Sequence, residues 1–297
     1  MIIPTPAIFN FNECLKYLTR SDLELTHKVV GRSIFKLIPV NGMKILIRVS
    51  LNENNDISLD TFDRKLSSTA IIELRNYFID WFDLSTPLDL FYAEVGEEKI
   101  FKQLIQNFYG LRLIKVPDLF EAICWSIIGQ QINLRFAYQM KYNLVRNYGE
   151  YLNFEEKRYY VFPSANTLSK LDEASFRSLQ FSRQKIAYIK GIAEKFVSGE
   201  ICKEKLSELS PNELKDELIK IKGIGNWSAN YIMLRCLGIK EAFPIEDAGL
   251  HQALRNQLKL KNKPSIHEVR HLSSTWKTWK GYRTYYLWHS LLNDINK

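Results

Sequence analysis

Ser210-Pro-Asn-Glu-Leu-Lys-Asp-Glu-Leu-Ile-Lys-Ile-Lys-Gly-Ile-Gly-Asn-Trp-Ser-Ala-Asn-Tyr231, continued by Phe243-Pro-Ile-Glu-Asp247, is the stretch that decides the fold. Ser210 reads as a helix N-cap, Pro211 as the first helical residue, and Glu213 as the return arm of a capping box. Leu214, Leu218 and Ile221 recur at helical spacing and give one apolar face. Gly223 and Gly225 then interrupt the helix. A second helix follows at once, with Trp227, Tyr231 and Leu234 on one side. The stretch therefore predicts two helices joined by a tight glycine hairpin.

Such a hairpin has a chemical use. Glycine permits a sharp turn and lets another backbone approach closely. The amides of Gly223, Gly225 and Asn226 in the next helix's first turn can converge on one phosphate, which the helix dipole favours. Lys220 and Lys222 add positive charge beside them. An ordinary αα-corner with a glycine C-cap explains the hairpin equally well, since short Gly-x-Gly runs are weak signals. Asp247 is also open to two readings. It stands after Pro244 where a new helix begins, so it is either a plain N-cap or a catalytic anion aimed at a pocket.

Composition narrows the classes. The 297-residue chain carries 41 Lys and Arg against 33 Asp and Glu, a formal net charge of +8. That surplus suits an anionic partner such as nucleic acid. No apolar run approaches the ~18 residues of a membrane span, and the N-terminal Met-Ile-Ile-Pro-Thr-Pro lacks the pattern of a signal peptide. The expected location is the cytoplasm, on the nucleoid in a bacterial cell. Cys14, Cys124, Cys202 and Cys236 are scattered, which reads as free thiols. The histidines (His27, His251, His267, His271, His289) show no zinc-ligand spacing.

Taken in order, residues 1–92 read as an α+β domain. A short helix is expected from Asn12 through Leu18, then strands over Ser33–Val40 and Met43–Leu51 around Asn41-Gly42, a strong hairpin signal. A short strand at Ile57–Leu59 and a helix over Ser68–Phe82 follow. Residues 93–297 read as helical nearly to the end, in two lobes, with the hairpin at 210–239. Asp118 and Glu121 form a second expected capping box. The helix through Phe120 and Ile127 stops at Gly129. Gln130-Gln131-Ile132-Asn133 is a polar turn before a helix that ends at Gly149. Near the C-terminus, Trp276 to His289 mixes aromatic and basic residues, as nucleic-acid surfaces and helix cores with snorkelling lysines both do.

The hairpin phrase with Phe-Pro-Ile-Glu-Asp resembles the helix-hairpin-helix, Gly/Pro…Asp signature of the base-excision DNA glycosylase superfamily. Within it, the chain is similar to the bacterial 3-methyladenine DNA glycosylase II branch. Residues 120–132 resemble the family's helix and following wedge loop. The resemblance implies an α+β N-terminal domain followed by a mostly α-helical glycosylase fold, with duplex DNA containing damaged bases as partner. It implies Asp247 as the catalytic carboxylate and a base pocket of Trp227, Tyr231, Trp288 and Tyr17, although Tyr17 reads equally as a core aromatic. Gln131 would enter the minor groove, and Lys222, Gly223, Gly225 and Asn226 would hold the backbone. Lyase-type relatives carry a Schiff-base lysine where this chain has Trp227, so a monofunctional enzyme is implied. No cysteine follows Cys236, so the iron–sulfur cluster of some relatives is not expected. No cofactor is required, though the carbonyls of Ile219, Ile221 and Ile224 match a family site for a monovalent cation. A monomer is expected. The alternatives are a non-enzymatic DNA-binding protein that reuses the hairpin and a glycosylase for oxidised bases.

Overall fold

The computed structural model describes residues 1–292. Its N-terminal part opens with β1 (Ile2–Ile3), α1 (Phe11–Leu18), β2 (Lys28–Val30), β3 (Ser33–Val40), β4 (Met43–Leu51) and β5 (Ile57–Asp60). These strands form one antiparallel sheet in the order β1-β5-β4-β3-β2. The Asn41-Gly42 turn pairs Val40 with Met43, and both turn residues have positive φ, as the sequence signal requires. Pro39 is the exposed residue near the end of β3, beside that turn. The helix α2 (Ser68–Trp81) covers the sheet, capped by Ser67, whose side chain accepts from the Ala70 amide.

The rest is helical: α3 (Leu88–Val95), α4 (Lys99–Asn107), α5 (Leu119–Ile128), α6 (Leu134–Tyr148), α7 (Ala165–Lys170), α8 (Glu173–Ser178), α9 (Arg183–Val197), α10 (Lys203–Ser207), α11 (Pro211–Lys220), α12 (Asn226–Arg235), α13 (Ala248–Leu258), α14 (Ile266–Leu272) and α15 (Lys280–Ser290). One antiparallel hairpin interrupts it, β6 (Tyr151–Phe154) with β7 (Lys157–Tyr160). This corrects the expectation of unbroken helix. The turn residues Glu155 and Glu156 both take positive φ, a conformation usually signalled by Asn or Gly. Two consecutive glutamates give no such signal. Phe154 and Tyr159 of the hairpin join Leu37 and Leu46 of the sheet in a small second core.

A single large core runs from the sheet into both helical lobes. It includes Ile3 and Ile47 from the sheet, Phe78 from α2, Ile123 from α5, Leu234 from α12 and Tyr285 from α15. In this core α12 packs against α11 and α5, and α13 packs against α15. The site described next sits on those pairings. No helix among the described residues is long and apolar enough to cross a membrane.

The second expected capping box is corrected. Asp118 does cap α5, its carboxylate accepting from the Glu121 amide at 2.7 Å. Glu121 does not reach back. Its carboxylate pairs with Lys141 at 2.7 Å, and Lys141 also holds Glu24 at 2.9 Å. A buried ammonium is a stronger claimant on that carboxylate than an exposed cap amide.

Candidate active site

The hairpin forms as its residues dictate. Ser210 and Glu213 make the reciprocal capping box of α11. The helix ends at Ile221, which leaves in an extended conformation. Gly223 then takes φ +100°, the left-handed region where side chains are strained. A Cβ there would also sit 2.5 Å from the Tyr188 ring of α9. Gly225 is different. It is the extended N-cap of α12, with no side-chain cap, and a Cβ at Gly225 would meet nothing within 4 Å. Lys222, Gly225 and Asn226 are exposed on this tip. The α12 amides thus lie at the exposed positive end of a helix dipole with no side-chain cap, where a negative charge is favoured.

Gln130 locks the tip to the end of α5. Its Nε2 donates to the Gly223 carbonyl at 2.8 Å and to the Ser228 hydroxyl at 3.0 Å. Sequence reasoning did not single out this residue; its only signal was its place beside Gln131. Gln131 itself is exposed and has φ +57°.

Asp247 is the N-cap of α13. Its Oδ1 accepts from the Leu250 amide at 2.7 Å, which makes it a cap. Trp288 Nε1 donates to the same oxygen at 2.7 Å, and Trp227 Nε1 donates to Oδ2 at 2.8 Å. Pro244 and His251 brace the preceding loop. The Asp247 amide donates to the Pro244 carbonyl at 2.9 Å, and His251 Nε2 lies 2.7 Å from the Ile245 carbonyl. Asp247, Trp227 and Trp288 are each partly exposed. A carboxylate so placed can face developing positive charge on a ligand.

Tyr231 joins the indoles into one aromatic wall. Its ring is stacked with Trp227 at 5.5 Å between centroids and tilted against Trp288 at 6.1 Å. Burial holds its hydroxyl's pKa above the usual range. Tyr17 lies behind this wall, not at Asp247. It is 5% exposed, its hydroxyl accepts from Arg235, and the Arg20 guanidinium covers its ring at 3.9 Å. Arg235 lies over both the Tyr17 and Tyr231 rings. Of the expected pocket residues, the structure brings Trp227, Tyr231 and Trp288 together at Asp247 and sets Tyr17 deeper.

With this geometry in place, comparison with known proteins is decisive. Residues 124–278 match the HhH-GPD superfamily of base excision DNA repair proteins, and residues 14–123 match the N-terminal domain of 8-oxoguanine DNA glycosylase. The chain belongs to the HhH-GPD superfamily. It is 36% identical over 293 residues to a DNA-3-methyladenine glycosylase of Bacillus subtilis, covering 98% of this chain and 97% of that relative. In fold, it is similar to the 3-methyladenine DNA-glycosylase of Archaeoglobus fulgidus, with TM-score 0.83 and 22% identity, covering 97% of each chain. It is also similar to the 8-oxoguanine glycosylase/lyase of Clostridium acetobutylicum in complex with duplex DNA, with TM-score 0.75 and 19% identity over 99% of this chain and 98% of that one. The expectation of a base-excision DNA glycosylase, with a sheet-containing N-terminal part before a helical body, is met.

Proposed function

We propose that this protein is a monofunctional DNA glycosylase that excises alkylated purines of the 3-methyladenine type from DNA. The observation that carries the proposal is the pairing of Asp247 with an indole. The hairpin helix presents Trp227, not an amine, to the carboxylate. The near-full-length similarity to a DNA-3-methyladenine glycosylase supports the same substrate class.

The chemistry follows from the parts. A base within a duplex has to be extruded before its glycosidic bond is reachable. The amides at Gly225 and Asn226, with Lys222, hold the phosphate backbone without reading sequence, and Gln131 fills the gap in the stack. The extruded base lies along Trp227, Tyr231 and Trp288, whose electron-rich faces favour a cationic alkylpurine. As the glycosidic bond breaks, its electron pair leaves with the base and neutralises it. Positive charge develops on the sugar, where the Asp247 carboxylate stabilises it. Water then adds at the anomeric carbon, and its proton passes to Asp247 or to solvent.

The carbonyls of Ile219, Ile221 and Ile224 would hold a monovalent cation at the hairpin. The Gly223 carbonyl is turned away to Gln130, and the Ile221 carbonyl keeps one lone pair beyond the Ile224 amide it accepts at 2.9 Å. Such a cation would brace the turn against a bound phosphate. The enzyme acts as a monomer on chromosomal DNA in the cytoplasm.

The test is incubation with alkylated duplex DNA. Chromatography should recover free 3-methyladenine, and the strand should break only after alkali. Borohydride should trap no enzyme–DNA adduct. An efficient trap would overturn the monofunctional reading, and absence of released base would overturn the substrate class.

A further inference from the structure

Three neutral donors converge on Asp247: the indoles of Trp227 and Trp288 and the amide of Leu250, at 2.8, 2.7 and 2.7 Å. A carboxylate offers about four acceptor positions. Two donors occupy Oδ1 and one occupies Oδ2, so the open lone pair lies on Oδ2. The donors arrive from α12, α15 and α13, three separate elements. None of them carries a formal charge. An ammonium in the same place would fix the carboxylate but cancel much of its field, whereas indole and amide N–H groups fix it and leave the net charge intact.

A second observation points the same way. Gly249 lies in the first turn of α13, where its backbone does not need glycine, since its φ is not positive. A Cβ there would meet Asp247 Oδ1 at 3.0 Å, Trp288 Cδ1 at 3.3 Å and Trp288 Nε1 at 3.4 Å. The missing side chain is the space through which the indole reaches the oxygen. We infer that Trp227 and Trp288 are positioning residues that aim the Asp247 carboxylate, and that Gly249 keeps the Trp288 approach open. This rests on the glycosylase reading above and gives the tryptophans a duty distinct from stacking on the damaged base.

The two duties separate with a probe that has no base. Duplex DNA carrying a protonated pyrrolidine in place of one nucleoside presents positive charge at the sugar position. A tetrahydrofuran in the same place is neutral. Stacking on a base contributes to neither. The ratio of the two affinities therefore reads the aim and field of the carboxylate. Wild-type protein should prefer the charged analogue by about tenfold or more, and Asp247→Asn should remove the preference. Gly249→Ala should shrink the ratio by about fivefold with tetrahydrofuran affinity nearly unchanged, and Trp227→Phe should shrink the ratio by a similar factor. Gly249→Ala should do so without lowering Tm, because alanine is the better helix former. Trp288→Phe serves if either variant fails to fold. Ratios at the wild-type value in folded variants would overturn the positioning role while leaving the glycosylase reading intact. A wild-type protein that neither prefers the charged analogue nor releases alkylated bases would instead overturn the glycosylase reading.

Discussion

The helices α11 and α12 start within one hairpin and start in opposite ways. At α11 the chain closes its own end: the Ser210 hydroxyl accepts the Glu213 amide at 3.5 Å, and Glu213 Oε2 accepts the Ser210 amide at 3.0 Å. At α12 nothing closes the end. The N-cap is Gly225, no side chain caps it, and there is open space where a Cβ would be. A serine or aspartate would fit there and would satisfy a free amide. The comparison teaches that the two starts answer to different partners. One is closed by the chain's own side chains, and the other carries no side-chain cap. The third start, at α13, stands between them: Asp247 caps it, yet two indoles from other helices hold the same carboxylate.

The largest expected effect comes from α13. Asp247→Asn keeps an oxygen to accept from Leu250 and Trp288, and asparagine is as good an N-cap as aspartate. The fold and DNA binding should survive. The charge is lost, and the side-chain amide now faces the Trp227 N–H donor. Excision should fall by about 10²–10³, the range for loss of one preorganised electrostatic group. Single-turnover rates on alkylated duplex measure it. Near-wild-type turnover would reduce Asp247 to a cap of the α11 kind.

Next in size is Gly225→Asp. The extended backbone there, φ −98°, accepts any residue, and the new carboxylate would cap α12. Stability should hold or rise by a few tenths of a kcal/mol. Duplex affinity should drop about tenfold for all sequences alike, because the group repelled is phosphate. Opposite signs in a melting curve and a binding isotherm are the signature of an end kept open. Unchanged affinity in a folded variant would make the hairpin a plain αα-corner.

The sequence disclosed whichever features are local. The capping box, Pro211, the glycines of the hairpin, the Asn41-Gly42 turn and the helix start at Asp247 each depend on a few consecutive residues, and each was legible. What depended on distant residues was not. Glu121 has the spacing of a capping box, but Lys141, twenty positions on, takes its carboxylate. Gln130 reaches Gly223, ninety-three positions away. The β6–β7 turn is made by Glu155 and Glu156, whose side chains do not favour its dihedrals. The tryptophans were legible as ring faces for a base. That their N–H groups point at one carboxylate follows only from the meeting of α12, α13 and α15.

The smallest effect is the control that completes the comparison. Ser210→Ala removes the acceptor for the Glu213 amide and the hydroxyl that donates to Glu213 Oε2 at 2.6 Å, while the backbone bond from residue 210 to Glu213 can persist. The loss of an exposed N-cap costs about 1 kcal/mol, which corresponds to a drop in Tm of about 2–4 °C in a chain of this size. Differential scanning fluorimetry resolves that shift. Duplex affinity and single-turnover excision should equal those of wild type, because Leu214 and Leu218, both buried, still anchor α11 beneath the tip. The expected pattern is thus the inverse of Gly225→Asp: stability moves and binding does not. Should Ser210→Ala weaken DNA binding as much as Gly225→Asp does, the α11 start would be part of the phosphate grip, and the division between a closed end and an open one would fail.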